Sequence, residues 1–141
     1  MFLFIDTSSA ELMVLALYQN DKLISYRRIR AAHQQAEKLL VSIDALLKGK
    51  SVKLHDLKKI IVNNQGSSFT SLRIGVITAN TLAYALDIPL EIASFKDSIS
   101  NSSKLSILVS SKFLKKFAGH QIVEPFYTRQ ASIGQAKKFN L

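Results

Sequence analysis

The chain opens with three apolar runs separated by short polar breaks. Phe2 to Asp6 is apolar up to its last residue and ends on Thr7-Ser8-Ser9; Leu12 to Tyr18 is rich in large apolar residues; Lys22 to Arg30 carries Leu23, Ile24, Tyr26 and Ile29 after an Asn20-Asp21 turn pair. Short runs of this composition bounded by turn residues predict strands. Their connections are too short for the crossover that parallel pairing needs, so the three are expected to be antiparallel neighbours.

From His33 the period changes. Ala36, Leu39, Leu40, Ile43, Leu46 and Leu47 fall on one helical stripe that runs to Lys48, with Gly49 placed for a C-cap. A strand around Ile60-Ile61-Val62 follows, then the loop Asn63-Asn64-Gln65-Gly66-Ser67-Ser68, whose serines can cap a helix beginning near Phe69. That helix is expected to run to about Asp87, closed by Pro89, with another strand over Leu90 to Ala93. Three strands, helix, strand, helix, strand describe an α/β lobe with a mixed five-stranded sheet and helices on its crossovers.

The division expected is a lobe over residues 1–94 and a reduced C-terminal segment over 95–141, packed on the lobe or extending from it. In that segment 98–103 reads as a loop and Leu105 to Val109 as a strand, followed by a short basic stretch to Ala118. Val123 to Arg129 is strand-like, but Pro125 confines it to an edge or an extended arm, and the residues from Ala131 on read as a tail.

The second helix is the most informative element. Phe69, Leu72, Val76, Ala79, Ala83 and Leu86 form one stripe; Ile74, Ile77, Thr78, Thr81 and Ala85 form another that is almost uncharged, and Arg73 is the only charge between 69 and 86. A helix apolar on most of its circumference is covered on two sides. The sheet supplies one cover; the other is the neighbouring helix or another chain, and so short a protein has few elements of its own to supply it. Of the 18 residues from Phe69 to Leu86, 11 are apolar, too few and too interrupted for a membrane span. With no basic leader before Asp6 and no cysteine, a soluble cytoplasmic protein is expected.

Charge adds a possible partner class. The 19 Lys and Arg outnumber the 10 Asp and Glu, for a net charge of +9. The excess is spread along the chain with local clusters at Arg27/Arg28/Arg30, at Lys48/Lys50/Lys53 with Lys58/Lys59, and at Lys112/Lys115/Lys116. A polyanion is favoured by such a balance, but a solvated surface that keeps the protein soluble is the preferred explanation.

Catalytic chemistry is poorly represented. The 63–68 loop lies where a helix N-terminus attracts anions, but it has the single glycine Gly66 and lacks P-loop spacing. Asp6 ends the first strand, where an RNase-H-like nuclease would place a Mg²⁺ carboxylate, yet the later strand ends in Asn63-Asn64 and the remaining acids do not converge. His33, His55 and His120 lack ligand spacing, and His33 with Glu37 is half a metal site.

Five segments carry a resemblance. They are Phe4-Ile5-Asp6-Thr7-Ser8, Glu37-Lys38-Leu39-Leu40, Ser68-Phe69-Thr70-Ser71-Leu72-Arg73-Ile74-Gly75, Ala83-Tyr84-Ala85-Leu86-Asp87-Ile88-Pro89-Leu90 and Pro125-Phe126-Tyr127-Thr128-Arg129. Through them the chain resembles the TsaB (YeaZ) family of tRNA threonylcarbamoyladenosine biosynthesis proteins, continuously over about 1–94 and again at the last motif. The resemblance implies an actin-like α/β lobe of the sugar-kinase and RNase-H type. It implies a non-catalytic scaffold or activator that pairs through its helices with a TsaD-type subunit, which transfers threonylcarbamoyl to a tRNA adenosine. A TsaE-type ATPase joins the larger assembly, a homodimer forms when the partner is missing, and contact with tRNA is indirect or weak.

The chain also departs from the family pattern. Gln65-Gly66-Ser67 replaces a Gly-Pro-Gly, Ser71 replaces a glycine, and Gln35 stands where a histidine is common, so no metal pair is inherited. No catalytic, cofactor or metal residue is therefore assigned. The expected partner surface is Ile43, Leu47, Ile74, Ile77, Thr78 and Thr81; the family motif comprises Asp6, Thr7, Ser8, Ser68, Phe69, Thr70, Leu72 and Arg73. The alternatives are a metal-dependent nuclease centred on Asp6 and a stand-alone RNA- or nucleotide-binding module.

Overall fold

The structure is a computed structural model that describes residues 1–95, 105–106, 114–116 and 122–127. β1 (Phe2–Asp6), β2 (Leu12–Gln19) and β3 (Lys22–Arg30) form an antiparallel meander. Asn20 and Asp21 both have positive φ, 48° and 63°, as a two-residue turn between twisting strands requires. The chain continues through α1 (Gln35–Lys48), β4 (Lys59–Asn63), β5 (Gln65–Gly66), α2 (Phe69–Leu86) and β6 (Leu90–Ala93). β7 (Leu114–Lys116) and β8 (Phe126–Tyr127) complete the described strands.

The main sheet has the order β3-β2-β1-β4-β6-β7, with β1, β4 and β6 parallel and the other pairings antiparallel. The five expected strands form it, and β7 adds a sixth beside β6. Leu105 and Ser106 are helical, not strand, and β7 falls instead in the basic stretch that follows. β8 lies within the expected 123–129 strand and pairs in parallel with β5. The 98–103 loop and the tail from Ala131 lie outside the described residues.

Alternate residues of each central strand serve two cores. Leu3, Ile5, Met13, Leu15, Leu17, Ile60 and Val62 pack under the helices; Phe2, Phe4, Val14, Ala16, Tyr18 and Ile61 form the opposite layer with Leu105. Covering both faces explains why these strands read as unbroken apolar runs. Across the second face, the Phe2 and Tyr18 rings stack at 4.8 Å, Lys59 Nζ sits 4.6 Å from the Phe2 centroid, and Lys59 Nζ pairs with Glu91 Oε2 at 3.1 Å.

α1 departs in detail from its expected stripe. Leu39, Ile43, Leu46 and Leu47 are buried, but Ala36 and Leu40 are exposed, and Gln35 and Ser42 are buried in their place. The Gln35 side-chain amide donates to the Ala10 carbonyl, tying the start of the helix to the β1–β2 loop. Gly49 follows α1 with ordinary helical φ of −59°, so it gives no left-handed cap. α2 does end on a left-handed residue, Asp87 at φ 52°.

Candidate functional site

Two places in this lobe are candidates: the C-terminal ends of the parallel strands, where open α/β sheets bind ligands, and the outer surface of the helices.

At the strand ends a polar latch closes the first place. Asp6 and Asn63 are both fully buried. Asp6 Oδ1 accepts the Ser8 N–H at 2.9 Å and Asn63 Nδ2 at 3.3 Å. The same Asn63 amide donates to the Phe95 carbonyl at 3.3 Å, and its oxygen accepts the N–H groups of Phe95 at 3.1 Å and Gln65 at 3.3 Å. One side chain thus joins the ends of β1, β4 and β6. It needs a donor and an acceptor together, which is why an amide stands where a metal site would use a second carboxylate.

The turn after β1 is held from two sides. Thr7 Oγ1 donates to the Ser71 carbonyl at 2.6 Å, fastening the turn to the first turns of α2. A Cβ at Gly75 would overlap Thr7 Oγ1 and lie 3.0 Å from its Cγ2; a Cβ at Gly66 would lie 2.6 Å from Ser8 Cβ. The backbone of α2 and of β5 therefore rests directly on Thr7 and Ser8, leaving no gap for a phosphate between them. Among the described residues, no group of three or more His, Cys, Asp and Glu side chains could hold a metal ion. Ser8 Oγ is buried without a hydrogen-bond partner among the described residues. Ser68 is the N-cap of α2, but its hydroxyl is engaged with Ser71 Oγ instead of a backbone amide.

The helices present the second place. Among the expected contacts, Ile77 is 64% exposed and Thr81 is also exposed, with its hydroxyl bonded to the Ile77 carbonyl at 2.9 Å. Ile74 and Thr78 are half-buried. Ile43 and Leu47 must be removed from the surface: both belong to the core, at 3% and 4% exposure. They lie on the side of α1 that faces the sheet. The apolar side chains α1 does expose are Leu40 and Val41, at 57% and 69%; α2 adds Tyr84 at 77%. Of the motif residues, Leu72 is fully buried, Phe69 is half-buried against the Tyr127 ring at 4.1 Å, and Thr70 and Arg73 are exposed.

A segment distant in sequence covers another flank of α2. Asn80 donates Nδ2 to the Val123 carbonyl and accepts the Val123 N–H on Oδ1, both at 2.9 Å. Val123 is 2% exposed and joins the core beneath the helices. Asn64 donates to the Glu124 carbonyl at 3.0 Å, and β8 pairs with β5. Residues 122–127 thus form a strap held mainly through backbone. It leaves a groove of about 540 Å³ beside α2, bordered by Arg73, Ile77, Thr81, Ile122 and Glu124. The packing roles of Asn63, Gly75 and Asn80 are not legible in the sequence, where Asn63 reads only as a poor metal anchor and Gly75 only as a motif residue; of the three, Gly75, a glycine inside a long helix, carries a local signal.

The order of strands and crossover helices defines an actin-like α/β lobe, here with its strand-end crevice occupied by its own turn and its helices turned outward. The family model for TsaD, tRNA N6-adenosine threonylcarbamoyltransferase, matches residues 29–95. The tRNA threonylcarbamoyladenosine biosynthesis protein TsaB of Bacillus subtilis is 32% identical over 110 residues, covering 77% of this chain and 48% of that protein. A tRNA N6-adenosine threonylcarbamoyltransferase of Malacoplasma penetrans is 30% identical over 117 residues, covering 74% and 38%. The structure of YeaZ from Pseudomonas aeruginosa superposes with a TM-score of 0.60 at 27% identity, over 66% of this chain and 44% of that one. On the curated TsaB and the YeaZ structure together, the chain is similar to the TsaB/YeaZ family over its lobe. It spans about half the length of the curated TsaB that it matches, or less for the other relative. No helix among the described residues is long and apolar enough to cross a membrane.

Proposed function

We propose that this chain is a non-catalytic partner subunit in the biosynthesis of threonylcarbamoyladenosine in tRNA, docking a TsaD-type subunit on the outer face of α1 and α2. The observation that carries the reading is the apolar exposure of that face, where Leu40, Val41, Ile77 and Tyr84 are all more than half exposed. Large apolar side chains left exposed on two helices that pack together are the kind of surface that association covers. The closed strand end supports the non-catalytic part of the reading, since Asp6 is engaged in the turn and in the latch. A lobe of 1–94 that carries this face, braced by residues 122–127 of the reduced segment over 95–141, fits the same role. A TsaE-type ATPase joins the larger assembly, and a homodimer uses the same helices when the TsaD-type subunit is missing.

Light scattering during gel filtration tests the proposal, on the chain alone and mixed with a TsaD-type subunit. A 1:1 heterodimer is expected, and Ile77→Asp is expected to abolish it with no fall in thermal stability, because the side chain makes little contact within the chain. A heterodimer that tolerates Ile77→Asp would place the interface elsewhere. A chain that never binds the TsaD-type subunit would overturn the role.

A further inference from the structure

We propose that the outer edge of the sheet, strand β3, is a binding surface for single-stranded RNA, with Arg28 and Arg30 contacting phosphates and Tyr26 stacking on a base. The argument is independent of the helical face and of the partner it takes.

β3 is nine residues long and, among the described residues, is one of the two edge strands of the six-stranded sheet. Its register assigns each side chain to a face. Tyr26 lies opposite Ala16, Arg28 opposite Val14 and Arg30 opposite Leu12, and these three β2 residues belong to the layer away from the helices. Arg27 lies opposite Leu15, which packs under the helices. Tyr26, Arg28 and Arg30 therefore form one row, about 6.7 Å apart along the strand, and Arg27 points to the other side.

All three side chains in the row are exposed, Tyr26 at 42%. No ion pair to Arg28 or Arg30 exists among the described residues. The sequence contains no Asp or Glu from Lys22 through Ala36, so no acid on the strand or the following turn neutralises them. The nearest acids in sequence are Glu11, Asp21 and Glu37, all exposed. An edge strand guarded by arginine resists pairing with another copy of itself. That role alone would not require an exposed aromatic ring at the end of the charged row, beside Arg28. A cationic row carrying an aromatic platform is the combination by which proteins hold unpaired nucleic acid: the charges follow the backbone and the ring takes a base face. An acidic peptide would use the charges and leave the ring idle.

The test is fluorescence anisotropy of the full chain with a labelled single-stranded RNA of about 12 nucleotides, titrated between 50 and 200 mM salt. Replacing both Arg28 and Arg30 with Thr should weaken binding at low salt. It should also flatten the salt slope by about 1.4, at roughly 0.7 for each phosphate of a single strand that is no longer neutralised. Arg27→Thr removes a charge from the other face and should change affinity less than twofold. Tyr26→Ala should weaken single-stranded RNA by about fivefold or more and leave duplex RNA unaffected. The site is overturned if Arg27→Thr is as damaging as the row variants, if Tyr26→Ala is silent, or if polyglutamate competes as well as RNA. Hydrogen exchange on the unaltered chain gives a reading that no misfolded variant can confuse. Bound RNA should protect Lys22–Arg30, and protection confined to other elements would sink the proposal.

Discussion

Gly75→Ala separates tertiary packing from helix propensity, because the two predict opposite signs. On an isolated helix the change stabilises by about 1 kcal/mol. Here the new methyl would overlap Thr7 Oγ1 and stand 3.0 Å from Cγ2 and 3.1 Å from Cβ. Thr7 is β-branched and fully buried, so it has little freedom to swing aside. Forcing a methyl into such packing costs about 1–3 kcal/mol. Displacing Thr7 Oγ1 from the Ser71 carbonyl, now 2.6 Å away, removes a buried hydrogen bond worth about 1 kcal/mol. The net expectation is a loss of about 1–3 kcal/mol, or a fall in Tm of about 4–12 °C for a domain of this size. Thermal and urea unfolding of the single variants, Gly75→Ala and Thr7→Ala, and of the double variant measure it. Thr7→Ala removes Oγ1 and Cγ2, the two nearest atoms the new methyl meets, so the double should be about 2 kcal/mol more stable than the sum of the single losses implies. A Gly75→Ala protein more stable than its parent, or two changes that simply add, would refute the close approach of α2 to the β1 turn.

Three further changes probe separate features. Asn80→Ala removes both ends of the clasp on Val123 and should cost about 2–3 kcal/mol, with faster hydrogen exchange at the Val123 amide and little change in β1, which an unchanged Val123 amide would contradict. Burial holds the Tyr18 phenol above its ordinary 10.0, and its hydroxyl donates to the Leu105 carbonyl at 2.7 Å. The folded state favours the neutral phenol, so this contribution is intact below pH 10 and declines above it as the unfolded chain ionises. Tyr18→Phe should flatten that alkaline decline in urea-unfolding stability. Asn63→Asp sets a second carboxylate against Asp6 and should cost about 2–4 kcal/mol at pH 7; because the repulsion raises a carboxyl pKa, the deficit should shrink as pH falls toward about 4, and a constant deficit would refute the latch.

Much of the lobe is legible from local pattern, and the failures share a cause. The meander is written in strand composition and in the Asn20-Asp21 turn, and the crossovers follow from helix and strand alternating after Arg30. The outer surface of α1 is not legible, because an apolar stripe identifies a helix without saying which of its edges lies under the sheet. Ile43 and Leu47 face inward, whereas Leu40, on the same sequence stripe, ends outside. The second cover of α2 is more remote still. Asn80 reads as an ordinary polar helix position and Val123 as an isolated apolar residue, yet they clasp across 43 positions of chain. Asn63 reads in sequence as a poor metal anchor, and its value as a combined donor and acceptor emerges only when three strand ends meet around it.

The energetics of the helical face constrain what can occupy it. Fully burying an aliphatic or aromatic side chain of this size yields about 1.5–3 kcal/mol. Leu40, Val41, Ile77 and Tyr84 are already 23–43% covered, since their exposures run from 57% to 77%. Together they offer roughly 4–8 kcal/mol, against association costs of about 4–15 kcal/mol. Four anchors alone therefore do not hold a partner. A stable complex must also enclose their surroundings, including Ile74, Thr78 and the exposed Asp44–Lys48 pair, approaching the area of about 800 Å² per side typical of specific interfaces. On the proposed role, a second copy and a TsaD-type subunit need the same anchors, so the two complexes exclude each other. An advantage of about 1.4 kcal/mol for either shifts occupancy tenfold at equal concentration. The apolar anchors are common to both, so that advantage has to come from the polar rim and from how well the opposing surface fits between α2 and the strap.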